Sequence, residues 1–432
     1  MEEEEDTTWK GVENTGDAPI DVDELRVIYC AADSFQQYPR VAHFQTTHLR
    51  RQSFYSLPQA HLRLLSSPPF NYLDTLNKVD DCIDSNAELS RAIFKAALAN
   101  FGLGVPDDKS RDGKGLKIPD EWQGCAKNGD VDKARSTLRQ FYRDWSAEGK
   151  RERDVCFGNV LRVVEEEQKR LAADEGGGGE RLQVLVPGAG LGRLVFELFL
   201  RGCVAEGNEI SYHQLLASSY ILNCCERAGQ YTVYPWVHGF SNHRTRADQF
   251  RGYRVPDVHC MTETIREQEK GVVGEMSMTA ADFLCEYAKE ENAGRFDVVA
   301  AVFFLDTAPN LIRYLDVIYG CLKPGGVLVN FGPLLWHFEG QMPNRSENGG
   351  HLKGDGGGGG GDNDMTGIAE PGNFELTDEE VMELVTKVGF QVESRETGIE
   401  APYIHDTESM LQTVYRASTW VARKPVIKAD TS

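Results

Sequence analysis

The chain has 432 residues, 41% of them hydrophobic, and a formal net charge of −21. That is enough apolar material for one large domain or two to three ordinary ones, and the negative field argues against nucleic acid as a partner. No run of about 18 apolar residues occurs, which argues against a membrane span. The acidic start MEEEED lacks the basic flank and apolar run of a secretory signal. Ten cysteines are scattered without a C-x-x-C pair, so reduced thiols in a cytoplasmic, and also nuclear, setting are expected.

Residues 1–22 read as a disordered acidic tail. Residues 23–173 read as a helical region. Within it, Ser85 and Glu88 make a capping-box pattern before Leu89, Ile93, Phe94, Ala97 and Phe101. A loop is expected over 104–129. The next helix sets Val131, Ala134, Leu138, Phe141 and Trp145 on one stripe. Another runs from about Glu152 to Leu171, and the glycine-rich DEGGGGE at 174–180 reads as a flexible linker. From 181 to 425 strands and helices alternate, with strands at 182–187, 203–209, 231–234, 296–304 and 326–332. Helices are expected at about 191–201, 212–228 and 309–321. This alternation predicts an α/β, Rossmann-like, mostly parallel sheet covered by helices on both faces. Residues 340–373 contain GDGGGGGGD, a low-complexity insertion. Thr377 and Glu380 then cap a helix to about Lys387, and two β-like runs, 390–395 and 416–423, close the chain as an antiparallel hairpin.

One stretch, VLVPGAGLGRL at 184–194, carries the first chemical signal. A buried-strand pattern enters a turn with Gly188, Gly190 and Gly192, then a helix. Such a turn lets a ligand approach the backbone and the free N–H groups of the helix start. Glu209 lies about 20 residues on, where a carboxylate can accept both ribose hydroxyls. No Gly-Lys-Ser/Thr follows, which disfavours an ATP loop. Asp282 and Phe283, in TAADF, offer an acceptor and an apolar wall for an adenine. FDVVAAVFFLD ends a fourth strand in Asp306, and LKPGGVLVNFG makes a turn and a fifth strand. Together with the closing hairpin these favour S-adenosylmethionine over a nicotinamide dinucleotide. His238, His243, His259 and Cys260 match no zinc spacing, so no metal is expected.

Longer motifs sharpen the picture. LRQFYRDWSAEGKRERD, GNEIS, YPWVHGFSN, RADQFR, VPDV, SMTAADF, FFLDTAPN, LKPGGVLVNFGPLLWHFE and VARKP together resemble the carnosine N-methyltransferase family, over about 40–425. The resemblance implies a class I methyltransferase with a seven-stranded sheet and S-adenosylmethionine as cofactor. It implies methylation of the pros nitrogen of the histidine ring of carnosine, giving anserine. By the same resemblance Gln140 and Arg143 fold over the methionine end of the cofactor, Arg143 pairing with its carboxylate. Gly188 and Gly190 line the turn, Glu209 meets the ribose, and Asp282 with Phe283 the adenine. Val302 falls at a further cofactor contact. Asp306, His337, Tyr403 and Tyr415 are implied for the acceptor, with Thr413 where the family has another tyrosine.

In this reading Asp306 accepts a hydrogen bond from the acceptor's far ring nitrogen, fixing its tautomer and stabilising the growing cation. His337 orients the acceptor or Asp306. The acceptor is a small imidazole dipeptide or a histidine-containing peptide or protein. Nucleic acid and membrane partners are not expected, and a homodimer is one expectation for the oligomeric state. Two further functions stay open: a protein-histidine methyltransferase, and a non-catalytic module that keeps the cofactor pocket. An oxidoreductase is a more distant alternative, since no hydride-site acid or base is evident.

Overall fold

The computed structural model describes residues 22–106, 116–173, 180–340 and 372–426. The acidic tail up to residue 21, the linker over 174–179 and the insertion over 341–371 lie outside the described residues.

Seven strands form the main sheet: β1 (Gln183–Pro187), β2 (Val204–Glu209), β3 (Glu275–Ala280), β4 (Phe296–Val302), β5 (Leu322–Gly332), β6 (Gln391–Pro402) and β7 (Val414–Arg423). Their order is β6-β7-β5-β4-β1-β2-β3. β1 to β5 run parallel, while β7 pairs antiparallel with both β5 and β6. The sequence pattern explains the centre. Val184, Leu185 and Val186 are all buried, because a strand covered on both faces needs apolar residues at every position. Alternate residues feed two cores. Leu185, Val299 and Leu328 pack on one face, and Val184, Val186, Val298 and Val329 on the other.

The principal helices are α1 (Val22–His43), α2 (Tyr72–Asn100), α3 (Asn128–Trp145), α4 (Lys150–Ala173), α5 (Arg193–Phe199), α6 (Tyr212–Asn223), α7 (Leu311–Cys321) and α8 (Asp378–Val388). The expected stripe of α3 is buried in full. It joins α1, α2 and α6 in a third core. Val160, Val163 and Val164 of α4 pack on the sheet itself. At the head of α8, Thr377 Oγ1 accepts from Glu380 N–H at 3.4 Å and the Glu380 carboxylate accepts from Thr377 N–H at 2.8 Å.

Four expectations are corrected. The third parallel strand is Glu275–Ala280, an edge strand. Tyr231–Val233 is a strand, but it pairs only with Tyr253–Val255 in a separate ribbon. Ser85 is no cap: it lies inside α2 and donates to Thr232 O at 2.9 Å. Finally, Cys30 and Cys125 are joined as a disulfide, their Cα atoms 5.6 Å apart, while the other eight cysteines are free. The two lie 95 residues apart in sequence and meet because α1 packs beside the start of α3. Among the described residues no helix is long and apolar enough to cross a membrane.

Candidate active site

The turn after β1 sits at the carboxyl edge of the sheet, where open α/β sheets bind ligands. Gly188, Gly190 and Gly192 have φ of +66°, +59° and +73°. A side chain is strained in that region, and at Gly188 a Cβ would meet the Phe304 ring at 3.0 Å. Glu209, at the end of β2, is buried and holds this turn. Its Oε2 accepts from Gly190 N–H at 2.9 Å and its Oε1 from Ser211 N–H at 2.8 Å. Burial pushes its carboxyl upward in pKa, and these backbone donors pull it back. Asp282 caps the short helix Phe283–Tyr287, accepting from Leu284 N–H at 2.9 Å and Cys285 N–H at 3.1 Å. A carboxylate has lone pairs enough for a further donor.

Over this edge lies the C-terminal turn of α3, held from below. Arg153 donates to Arg143 O at 2.7 Å and Ser146 O at 2.8 Å, and Arg193 donates to Asp144 O at 3.1 Å. These guanidiniums satisfy carbonyls that every helix end leaves bare, and they match its negative pole. Asp257 takes both cations, at 2.7 Å from Arg153 and 2.6 Å from Arg193, and its own N–H donates to Trp145 O at 2.8 Å. The Trp145 indole N–H donates to Leu191 O at 3.1 Å, tying the same turn to the glycine loop.

A cavity of about 460 Å³ results. Gln140, Arg143, Gly188, Gly190, Glu209, Asp282, Phe283, Val302, His337 and Tyr403 all line it. Asp306 and Tyr415 do not. Asp306 is buried behind the wall, where its Oδ2 accepts from Leu335 N–H at 2.9 Å and its carbonyl accepts from His337 N–H at 3.1 Å. It thereby shapes the 333–338 segment that presents His337. Burial raises its carboxyl pKa, with Leu335 N–H and His337 opposing. Tyr415 stands in the aromatic group behind Tyr403, their ring centres 6.2 Å apart.

Arg143 is already paired within the chain. Its Nε and Nη2 hold the adjacent Asp144 at 2.7 and 3.1 Å, and its guanidinium lies over the Tyr403 ring at 4.8 Å. Asp144 engages the Nε–Nη2 edge of the guanidinium, which has five N–H donors in all. Burial alone would lower its pKa, but Asp144 and Tyr403 hold it well above the usual arginine value.

Several lining residues carried no clear sequence signal. Phe303 follows β4 with φ of +52°, unusual for an aromatic, and its ring lies 5.1 Å from that of Tyr403. Only the FF doublet at the strand end hinted at it. A Cβ at Gly190 would meet Gln214 Oε1 at 2.9 Å, and the place of Gln214 just after GNEIS could have marked it. Glu152 fixes Tyr403 from the next residue, accepting from Ile404 N–H at 2.7 Å and His405 N–H at 2.8 Å. Among the described residues no group of three or more His, Cys, Asp or Glu could hold a metal ion.

The donor set fits S-adenosylmethionine. Gln140 Oε1 is buried with no hydrogen-bond partner, an acceptor placed for the cofactor's ammonium. Glu209 stands at the end of β2 for the ribose and Asp282 and Phe283 beyond β3 for the adenine.

A family model described as carnosine N-methyltransferase matches residues 120–426. Carnosine N-methyltransferase of Schizosaccharomyces pombe is 34% identical over 407 residues, covering 93% of this chain and 97% of that protein. The Mus musculus enzyme of the same name is 34% identical over 395 residues, covering 91% and 84%. A Drosophila melanogaster relative is 33% identical, covering 82% and 71%. A solved S-adenosylmethionine-dependent methyltransferase from Methanosarcina mazei aligns with TM-score 0.32 and 16% identity over 57% of this chain and 94% of its own, too slight a likeness to build on. The extent of the family match and of the identity over nearly whole chains settles membership. The chain belongs to the carnosine N-methyltransferase family, and is a methyltransferase with S-adenosylmethionine as its cofactor.

Proposed function

We propose that this protein methylates the pros nitrogen of the carnosine imidazole, giving anserine. One observation carries the reading beyond family membership: the wall of Phe303, Tyr403 and Tyr415 stands beside the cavity whose floor is Gly188 and Gly190, with His337 at its rim. When bound, S-adenosylmethionine supplies a methyl group on a cationic sulfonium, so a neutral imidazole needs position more than proton removal.

Gln140, Gly188, Gly190, Glu209, Asp282 and Phe283 would hold the cofactor, with Val302 beside them in the same lining. Phe303 and Tyr403 flank the acceptor ring, with Tyr415 supporting them. Their faces favour the imidazolium as charge grows on it. His337 touches the acceptor and orients the ring. Asp306 acts through His337: its charge lies behind that residue in a poorly solvated place, where it stabilises the developing cation. It is a positioning residue rather than a direct partner of the ring.

The test uses S-adenosylmethionine labelled with ¹³C at the methyl, carnosine, and a proteome lysate freed of small molecules. NMR of the product distinguishes the two ring nitrogens. Label at the pros nitrogen of carnosine supports the proposal. Label confined to protein histidine overturns it in favour of a protein methyltransferase, and label in neither overturns it in favour of another acceptor.

A further inference from the structure

A second cavity, of about 520 Å³, lies on another flank of α3 and of the β6–β7 loop. Sequence neighbours divide the two spaces: Gln140 and Tyr403 line the first, Arg139 and Ile404 the second. Arg139 is the group that asks for a ligand. Its guanidinium lies 5.0 Å from the Trp236 ring centre and reaches Ile404 O only at 3.5 Å. Both acids lining this cavity are already engaged, Asp132 with Arg135 at 3.0 Å and Asp406 with Arg251.

Two histidines also line this cavity. Burial, with Arg135 and Arg139 nearby, pushes His238 down to about 3, and it bonds the Tyr38 hydroxyl at 3.0 Å. His243 pairs its Nε2 with Gly239 O at 3.0 Å, leaving Nδ1 buried with no partner. Among the described residues lining the cavity, Arg139 is a cation with no carboxylate in direct contact, Glu152 and Asp406 acting on it only from a distance, in a chain of net charge −21. A guanidinium resting on an indole keeps its edge available for a carboxylate, with two parallel N–H donors.

We infer that this second cavity seats the carboxylate of the acceptor, with Arg139 as its partner. The inference rests on the acceptor reading above. The spacing of α3 supports it. Arg139 lies about one helical turn from Arg143, roughly 6 Å along the axis, and Arg143 lies over Tyr403. In a histidine, only Cα and Cβ separate the carboxylate from the ring, so the inference requires the acceptor to bridge the short span between Tyr403 and Arg139. An internal histidine of a polypeptide carries an amide there and gives Arg139 nothing to pair with. The cavity therefore selects a free C-terminal histidine.

The experiment compares carnosine with its C-terminal carboxamide, using wild-type protein, Arg139→Gln and Arg139→Lys. Arg139 is exposed into the cavity, so the variants keep the fold, and S-adenosylmethionine affinity serves as the control for an intact site. In the wild type the carboxamide should show a KM at least about tenfold above that of carnosine, the usual scale for losing a paired charge. Arg139→Gln should raise the carnosine KM by a similar factor, with kcat within about threefold, and should leave the carboxamide unaffected. Arg139→Lys should recover part of the loss. Equal KM for both acceptors, unchanged in Arg139→Gln, would overturn the inference alone. A wild type that turns over neither acceptor would overturn the proposed function and this inference with it.

Discussion

Replacing Asp257 by Asn tests how the cofactor lid is held. The carboxylate lies between Arg153 and Arg193, which are 4% and 6% exposed, and both guanidiniums cap carbonyls of the α3 terminus. The amide keeps the shape but removes the charge. Arg193 keeps Glu197 at 3.0 Å, but the acid shared between the two cations is gone. At an effective dielectric near 20, each lost attraction is worth about 4 kcal/mol at 4 Å. The bonds to carbonyl oxygens survive and offset part of this, so the net loss of stability should be about 3–5 kcal/mol. That is a large share of the roughly 5–15 kcal/mol typical of folded proteins. Urea unfolding of wild type, Asp257→Asn and Glu166→Gln measures it. Glu166 is the control, because its i,i+4 pair with Arg162 is half exposed and worth about 0.3–0.5 kcal/mol. S-adenosylmethionine titration should also show about tenfold weaker binding in Asp257→Asn, since the turn bearing Gln140 and Arg143 loses its anchor. A stability loss below about 1 kcal/mol would refute the energetic argument. A full loss with unchanged cofactor affinity would refute the link to the lid.

Two further outcomes are expected. In Glu209→Gln one oxygen must serve two N–H groups, Gly190 and Ser211, so calorimetry should find cofactor affinity about 10- to 100-fold weaker; a change below twofold would remove Glu209 from that role. The second concerns pH. Burial holds His213 at about 4 and His238 at about 3, whereas an unfolded histidine takes its proton near 6.5. Both pKa values are depressed on folding, so their share of stability is whole above about 6.5 and drains as pH falls below it. Between pH 7.5 and 5 each should remove about 2 kcal/mol. Urea midpoints should fall over that range, and fall less in His213→Asn with His238→Gln; an identical slope in the double variant would rule the pair out.

Local chemistry was legible where it was also decisive. The α3 stripe and the Thr377 cap could be read directly, since each depends on residues a turn or so apart. β1 and β4 were legible because central parallel strands are apolar throughout. β3 was not: EMSMTA lies at the sheet edge, half exposed, with little β-branching to mark it. The Tyr231–Val233 run has that β-character and still joins a separate ribbon, because propensity does not say which sheet a strand enters. The site residues came largely from motifs, and their pairing did not. Arg143 and Asp144 are adjacent in sequence, yet their geometry decides that they hold each other. Asp306 lies at a strand end, where a substrate contact is expected, but Leu335 N–H draws its carboxylate behind the wall. Asp257 meets Arg153 across 104 residues and Arg193 across 64, separations at which no local pattern exists.

The place of β7 has a consequence for synthesis. The final strand of the sheet inserts between β5 and β6, which are both made before it. Until it arrives, β5 presents an open edge and β6 has no neighbour in the sheet, an exposure that invites association between nascent chains. Tyr415 rides on β7, and Thr413 O, just before it, accepts from Tyr403 N–H at 3.5 Å. The glycine turn after β1 and Glu209 are therefore made well before the strand that completes the sheet. A chain ending short of Val414 loses an interior strand rather than a tail, and with it Tyr415 behind Tyr403.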